Sequence, residues 1–259
     1  MAVIPKLRRR NRDGTMTLVE HLAELRMRII VSFVAIGVGT VAGWFLFQPV
    51  FDLLTNPYCG FIKHYPQLSF NPSHPCALAV GSILDPFSLK LRLATFIGLA
   101  IALPVVLFEL WRFVVPGLTR RERRAAVPFV VSSIVLFALG AWFAMLTLPK
   151  GLAFLLGFAG STHIVAVLSV TKYLGFVVLL IAVFGLSFEF PLVLISLVAV
   201  GVLSSQRLRA WRRYAIVGIA IFAAVITPSQ DWFTMTAMMV PLLVFYELAI
   251  LVSRFVLKK

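Results

Sequence analysis

Six stretches of the chain are apolar and almost free of charge: Ile29–Phe47, Phe87–Phe113, Ala125–Leu148, Tyr173–Leu203, Tyr214–Ile226 and Trp232–Val252. A backbone crossing hydrocarbon finds no water to bond, so each stretch must close its own hydrogen bonds as a helix. Composition agrees. Of the 259 residues 61% are hydrophobic and 13% charged, against about 45–50% and about 25% in soluble domains. A soluble globular fold is excluded, and so is a disordered chain. The reading is an all-α polytopic membrane protein with six transmembrane helices, forming one domain over 1–259. Residues 1–28 make a basic segment, 29–252 the helical bundle and 253–259 a short tail.

The net charge of +14 would suit a nucleic-acid partner if the cations were spread over one soluble surface. They are not. Nineteen of the 24 Lys and Arg fall in 1–28, 112–124, 204–213 and 253–259, all on one side of a six-crossing chain, whereas Lys63, Lys150 and Lys172 fall on the other. The positive-inside rule then places both termini in the cytoplasm. No nucleic acid is needed to explain the charge. The basic start followed by an apolar run has no small-residue cleavage site, so the first helix is expected to be retained.

The crossings are uneven. At about 1.5 Å per residue the 31-residue fourth run reaches about 46 Å, while the 13-residue fifth run reaches only about 20 Å against a core of about 30 Å. A short helix thins the membrane or leans on its neighbours. Pro104, Pro128, Pro191 and Pro241 lie inside apolar runs and should bend them, giving a cupped bundle. Thr17 with Glu20 and Thr119 with Glu122 fit capping boxes, and Asp85 and Asp231 precede later helices.

Chemistry-bearing motifs are few. HExxH, GxSxG and a phosphate-binding loop are missing, and Gly39 and Gly43 have the spacing of close helix packing. An enzyme, a metal site and a cofactor are not expected. Cys59 and Cys76 share the hydrophilic outer loop from Gln48 to Pro86. They make either a bridge, closing about 18 residues at a gain of about 3 kcal/mol, or two free thiols.

Ten carboxylates remain to be placed. Glu109, Glu189 and Glu247 lie within helices, and Glu189 lies deepest, where a carboxyl needs a partner, a proton or a water-filled hollow. On the basic side Glu24 and Glu122 stand among cations. Glu24 can pair with Arg28 at i,i+4, and Glu122 can serve its capping box. A carboxylate is also the matching acceptor for a guanidinium, and two could hold two adjacent arginines.

At this point the chain resembles the TatC family, the multispanning subunit of the twin-arginine protein translocase. The resemblance rests on His21-Leu22-Ala23-Glu24-Leu25-Arg26, Asp85-Pro86-Phe87, the stretch Phe108-Glu109-Leu110-Trp111-Arg112-Phe113 running through Pro116-Gly117-Leu118 into Arg120–Arg124, Ser187-Phe188-Glu189-Phe190-Pro191, Thr227-Pro228, Asp231-Trp232-Phe233, Pro241 and Tyr246-Glu247. It implies a receptor and core subunit that binds twin-arginine signal peptides of folded precursors at the cytoplasmic face. Glu24 and Glu122 would receive the arginines, with Phe113 and Arg26 in the same site. It implies a buried Glu189 facing the hollow, single-span partners TatA and TatB, several copies in one assembly, and transport driven by the proton gradient. Thr227, Thr234 and Asp231 would be polar contacts for the partners near the short fifth and sixth helices. Glu109 and Met235 take places that can hold glutamine. The rival reading is a proton-coupled small-solute transporter using Glu189.

Overall fold

The structure, a computed structural model, describes residues 18–66, 71, 73–74, 76–114, 126–157, 168–199, 201–229 and 231–255. Among these lie nine helices: α1 (Leu18–Phe45), α2 (Phe47–His64), α3 (Asp85–Val114), α4 (Ala126–Gly157), α5 (Val170–Phe188), α6 (Phe190–Ala199), α7 (Ser205–Ala210), α8 (Arg212–Ile226) and α9 (Trp232–Phe255). Among the described residues five spans are long and apolar enough to cross a bilayer: Leu22–Phe45, Asp85–Leu110, Pro128–Gly157, Val170–Ala199 and Trp232–Phe255. The fifth apolar run falls in α8, whose 15 residues reach about 22 Å, so it stays short of a full crossing. Large apolar side chains face outward along the spans, as Phe33 (69% exposed) and Phe45 (79%) do on α1. Such surface is costly in water and ordinary in lipid.

Small residues set the helix pairs. A Cβ at Gly39 would stand 2.5 Å from the Gly98 carbonyl oxygen, and Gly43 lies equally tightly on Ala94, so α1 and α3 touch backbone to backbone. A Cβ at Gly140 would stand 2.6 Å from the Phe184 carbonyl oxygen, which does the same for α4 and α5. Ala144, Leu148, Val177, Leu180, Phe184, Met238 and Leu242 make the core between α4, α5 and α9.

The outer stretch from Gln48 to Pro86 is not a plain loop. It opens with α2, which buries Leu54, Tyr58, Phe61 and Ile62, an i, i+4, i+7, i+8 stripe on a helix that also carries Gln48, Asp52, Asn56 and Lys63. Tyr173 Oη donates to the Leu54 carbonyl at 3.0 Å and ties α5 to it. A parallel bridge between Ala79 and Ser169 fastens the rest of the segment to the start of α5. At the other end of the first run, α1 runs from Leu18, the residue after Thr17 in the sequence, so about three turns carrying its charged residues precede the apolar length from Ile29.

The long fourth run is broken in two. Glu189 sits between α5 and α6, where Pro191 has no N–H to continue the ladder. α6 ends in a left-handed turn at Gly201, φ +87°, with the Val202 N–H donating to the Leu197 carbonyl at 3.0 Å. Only glycine takes that conformation without strain. An apolar groove of about 480 Å³ opens beside this break, lined by Leu186, Phe190, Val193, Ile219, Phe222 and Leu242.

Candidate functional site

The α1–α3 pair is antiparallel, and its register decides what meets at the basic end. Eleven residues separate Arg28 from Gly39 on one helix and Glu109 from Gly98 on the other. The tight glycine contact therefore brings Arg28 to Glu109. Arg28 Nη1 donates to Glu109 Oε2 at 2.9 Å, and Nη2 donates to Glu24 Oε1 one turn earlier on α1. Arg28 and Glu109 are nearly buried, with side chains 11% and 13% exposed, while Glu24 is more open at 26%. Two carboxylates share one guanidinium, so among the described residues the cluster carries one negative charge in excess. Glu24 Oε2 and Arg28 Nε are buried without a hydrogen-bond partner among the described residues. An unmade bond at a charged group is costly; Glu24 Oε2 could accept from a further donor, whereas Arg28 Nε could only donate.

The i,i+4 pairing of Glu24 and Arg28 is thus present, and Glu109 joins it. Arg26, two residues from Glu24, is exposed. Phe113 lies on the last turn of α3, with its side chain outside the described residues, as are Glu122 and both capping boxes, Thr17 with Glu20 and Thr119 with Glu122.

Glu189 lies apart from this cluster. Ser133 of α4 donates to its Oε2, and Oε1 is buried without a partner among the described residues. The carboxyl that interrupts α5–α6 is therefore tied to the neighbouring helix by one oxygen. Glu247 accepts from Arg212 Nη2 at 2.7 Å, and both side chains are 49% exposed, so this pair contributes little energy.

Thr227, Asp231 and Thr234 turn inward. Thr227 Oγ1 donates to the Ala223 carbonyl at 2.7 Å. Asp231 caps α9, accepting the Thr234 N–H at 2.8 Å and the Thr234 hydroxyl at 2.6 Å. Burial pushes the Asp231 carboxyl up, but hydrogen bonds from Ser229, from the Thr234 hydroxyl and from the Thr234 and Phe233 amides outweigh it and hold it below its ordinary value. These side chains build the α8–α9 turn rather than its surface. Asp85 likewise accepts the Gly81 and Ser82 amides, each at 2.9 Å, and sets the entry to α3.

Cys59 and Cys76 are free thiols. Burial pushes the Cys59 thiol up to about 11, and a hydrogen bond shared with Cys76 adds to it. No cluster of metal ligands occurs among the described residues.

Sequence and structure comparisons converge. Residues 20–241 match the family model described as Sec-independent protein translocase protein (TatC). A Sec-independent protein translocase protein TatC from Frankia casuarinae is 42% identical over 246 residues, covering 93% of this chain, which spans 66% of that protein's length. The counterpart from Aquifex aeolicus is 37% identical, covering 94% of this chain and 97% of its own. A crystal structure of the twin arginine translocase receptor TatC superimposes with a TM-score of 0.71 at 37% identity, over 91% of this chain and 98% of that one.

Proposed function

The chain belongs to the TatC family of Sec-independent protein translocase proteins, and on that premise we propose that it is the signal-peptide receptor and core subunit of a twin-arginine translocase. The observation that carries this reading is the surplus carboxylate at the basic end of α1 and α3: Glu24 holds a buried oxygen with no partner among the described residues, in a stretch of sequence otherwise crowded with cations. A guanidinium fits that acceptor in charge and in shape. The surrounding Lys and Arg repel basic peptides that cannot reach it, which is selection against wrong partners. Glu122, among Arg120, Arg121, Arg123 and Arg124, supplies the second acceptor, with Phe113 and Arg26 flanking.

The distribution of basic residues supports both termini on the cytoplasmic side, with α8 as a short sixth crossing. The single-span partners TatA and TatB would seat against the α8–α9 hairpin. Thr227, Asp231 and Thr234 shape its turn, and the apolar groove beside α6 would take side chains of a partner helix. The proton gradient drives transport, and the mismatch at α8 thins the bilayer where the precursor passes.

Copurification tests the receptor role. The chain should retain a precursor bearing paired arginines and release the same precursor with both replaced by alanine. Equal retention of the two would overturn the reading.

A further inference from the structure

The Glu24–Arg28–Glu109 cluster has the form of a receptor site that already holds a guanidinium. Resting on the receptor reading above, we infer that Arg28 is a resident occupant of Glu24, displaced toward Glu109 when a visiting guanidinium binds.

Three features carry this. Arg28 spends one terminal nitrogen on each carboxylate, so neither carboxylate receives the two parallel bonds that a guanidinium can give. Glu24 is the more open of the two carboxylates, and its inner oxygen, Oε2, has no partner among the described residues, while Glu109 is deeper. A visitor therefore meets Glu24 first. The charges then close: one excess negative charge becomes zero when one guanidinium arrives, leaving two carboxylates and two guanidinium groups in one-to-one pairs.

Glu109 is what makes the exchange feasible. Taking Glu24 from a nearly buried arginine would ordinarily strand a positive charge, which is strongly unfavourable. With Glu109 at 2.9 Å, Arg28 gives up Glu24 and still keeps a charged partner. Glu109 is thus a positioning residue for Arg28, and Arg28 sets selectivity. A visitor must outcompete a resident guanidinium, which a lysine, lacking the planar fork, does poorly.

The test uses the purified full chain in detergent and synthetic signal peptides with paired arginines or paired lysines. Arg28→Gln should bind the arginine peptide about tenfold more tightly, the scale of one charge-assisted hydrogen bond, and should lose discrimination against the lysine peptide by a similar factor. Glu109→Gln should weaken binding, because Arg28 then stays on Glu24. The double variant should recover the affinity of Arg28→Gln. A merely structural role for either residue moves neither the arginine-to-lysine ratio nor the rescue. Arg28→Lys, a gentler change, should shift affinity the same way by less, and serves if Arg28→Gln does not fold. Weaker binding on replacing Arg28, or a double variant no better than Glu109→Gln, would overturn the inference. Binding that ignores Glu24→Gln in the parent chain would instead overturn the receptor reading itself.

Discussion

Arg28 and Glu109 stand 81 positions apart in the chain and meet at 2.9 Å because α1 and α3 pack glycine on backbone at a fixed antiparallel register. The ion pair depends on a contact eleven residues deeper. Adding a side chain at that contact should therefore be felt at the basic end.

Gly39→Val puts a branched Cβ where 2.5 Å separates it from the Gly98 carbonyl oxygen, so the helices must part. The expected cost is about 1–3 kcal/mol, the usual range for overpacking. It is read as a lower unfolding midpoint in detergent together with weaker signal-peptide binding. Gly37→Val, where a Cβ meets nothing within 4 Å, is the control and should change neither by a comparable amount.

Acid should loosen the α8–α9 turn. The folded Asp231 carboxyl lies below its ordinary value, so its contribution to stability is complete above the unfolded value of about 3.9 and is lost as pH falls from there through the folded value. Asp231→Ala should lower stability by about 1 kcal/mol at neutral pH, the usual cost of a lost helix cap. It should also flatten the decline in the unfolding midpoint below about pH 4. An unchanged decline in the variant would reject this assignment.

The two outer cysteines can be read by mass. With reductant present, alkylation of Cys59 at pH 8 should lag that of an ordinary exposed thiol, because a thiol pushed up to about 11 holds little thiolate there. Its rate should climb about tenfold per pH unit. Oxidation that closes a bridge between Cys59 and Cys76 would remove two hydrogens from the intact mass and abolish labelling at both.

Lengthening α8 addresses transport rather than binding. One added turn of leucines should relieve the mismatch that its 15 residues impose. The expected result is a chain that binds precursor normally and fails to translocate it. Translocation at the parent rate would reject a role for the short helix.

Much of the architecture was legible in apolar runs, because hydrocarbon leaves the backbone few alternatives. A bend near Pro191 was expected, but not that it would divide the run at Glu189; the close packing of α1 followed from the spacing of Gly39 and Gly43. The helix α2 was harder to see: Gln48, Asp52, Asn56 and Pro57 dilute its apolar stripe, and it begins two residues after α1 ends. Glu24 with Arg28 was visible as an i,i+4 pair. Glu109 was not visible as its third member, because the register between helices depends on which glycine faces which backbone, and nothing local to Glu109 records that. The part that Thr227, Asp231 and Thr234 play in the α8–α9 turn was not visible either, because the neighbours that satisfy their hydroxyl and carboxyl groups are set by how the turn folds.

The most direct measurement is the affinity of a synthetic twin-arginine signal peptide for the purified chain and for its Glu24→Gln variant, with unfolding midpoints matched. A carboxylate that grips a guanidinium predicts a loss of about 2–5 kcal/mol on its removal, as for truncated buried charge pairs. It also predicts a much smaller loss for the twin-lysine peptide. Equal affinity of parent and variant for the arginine peptide would contradict the account.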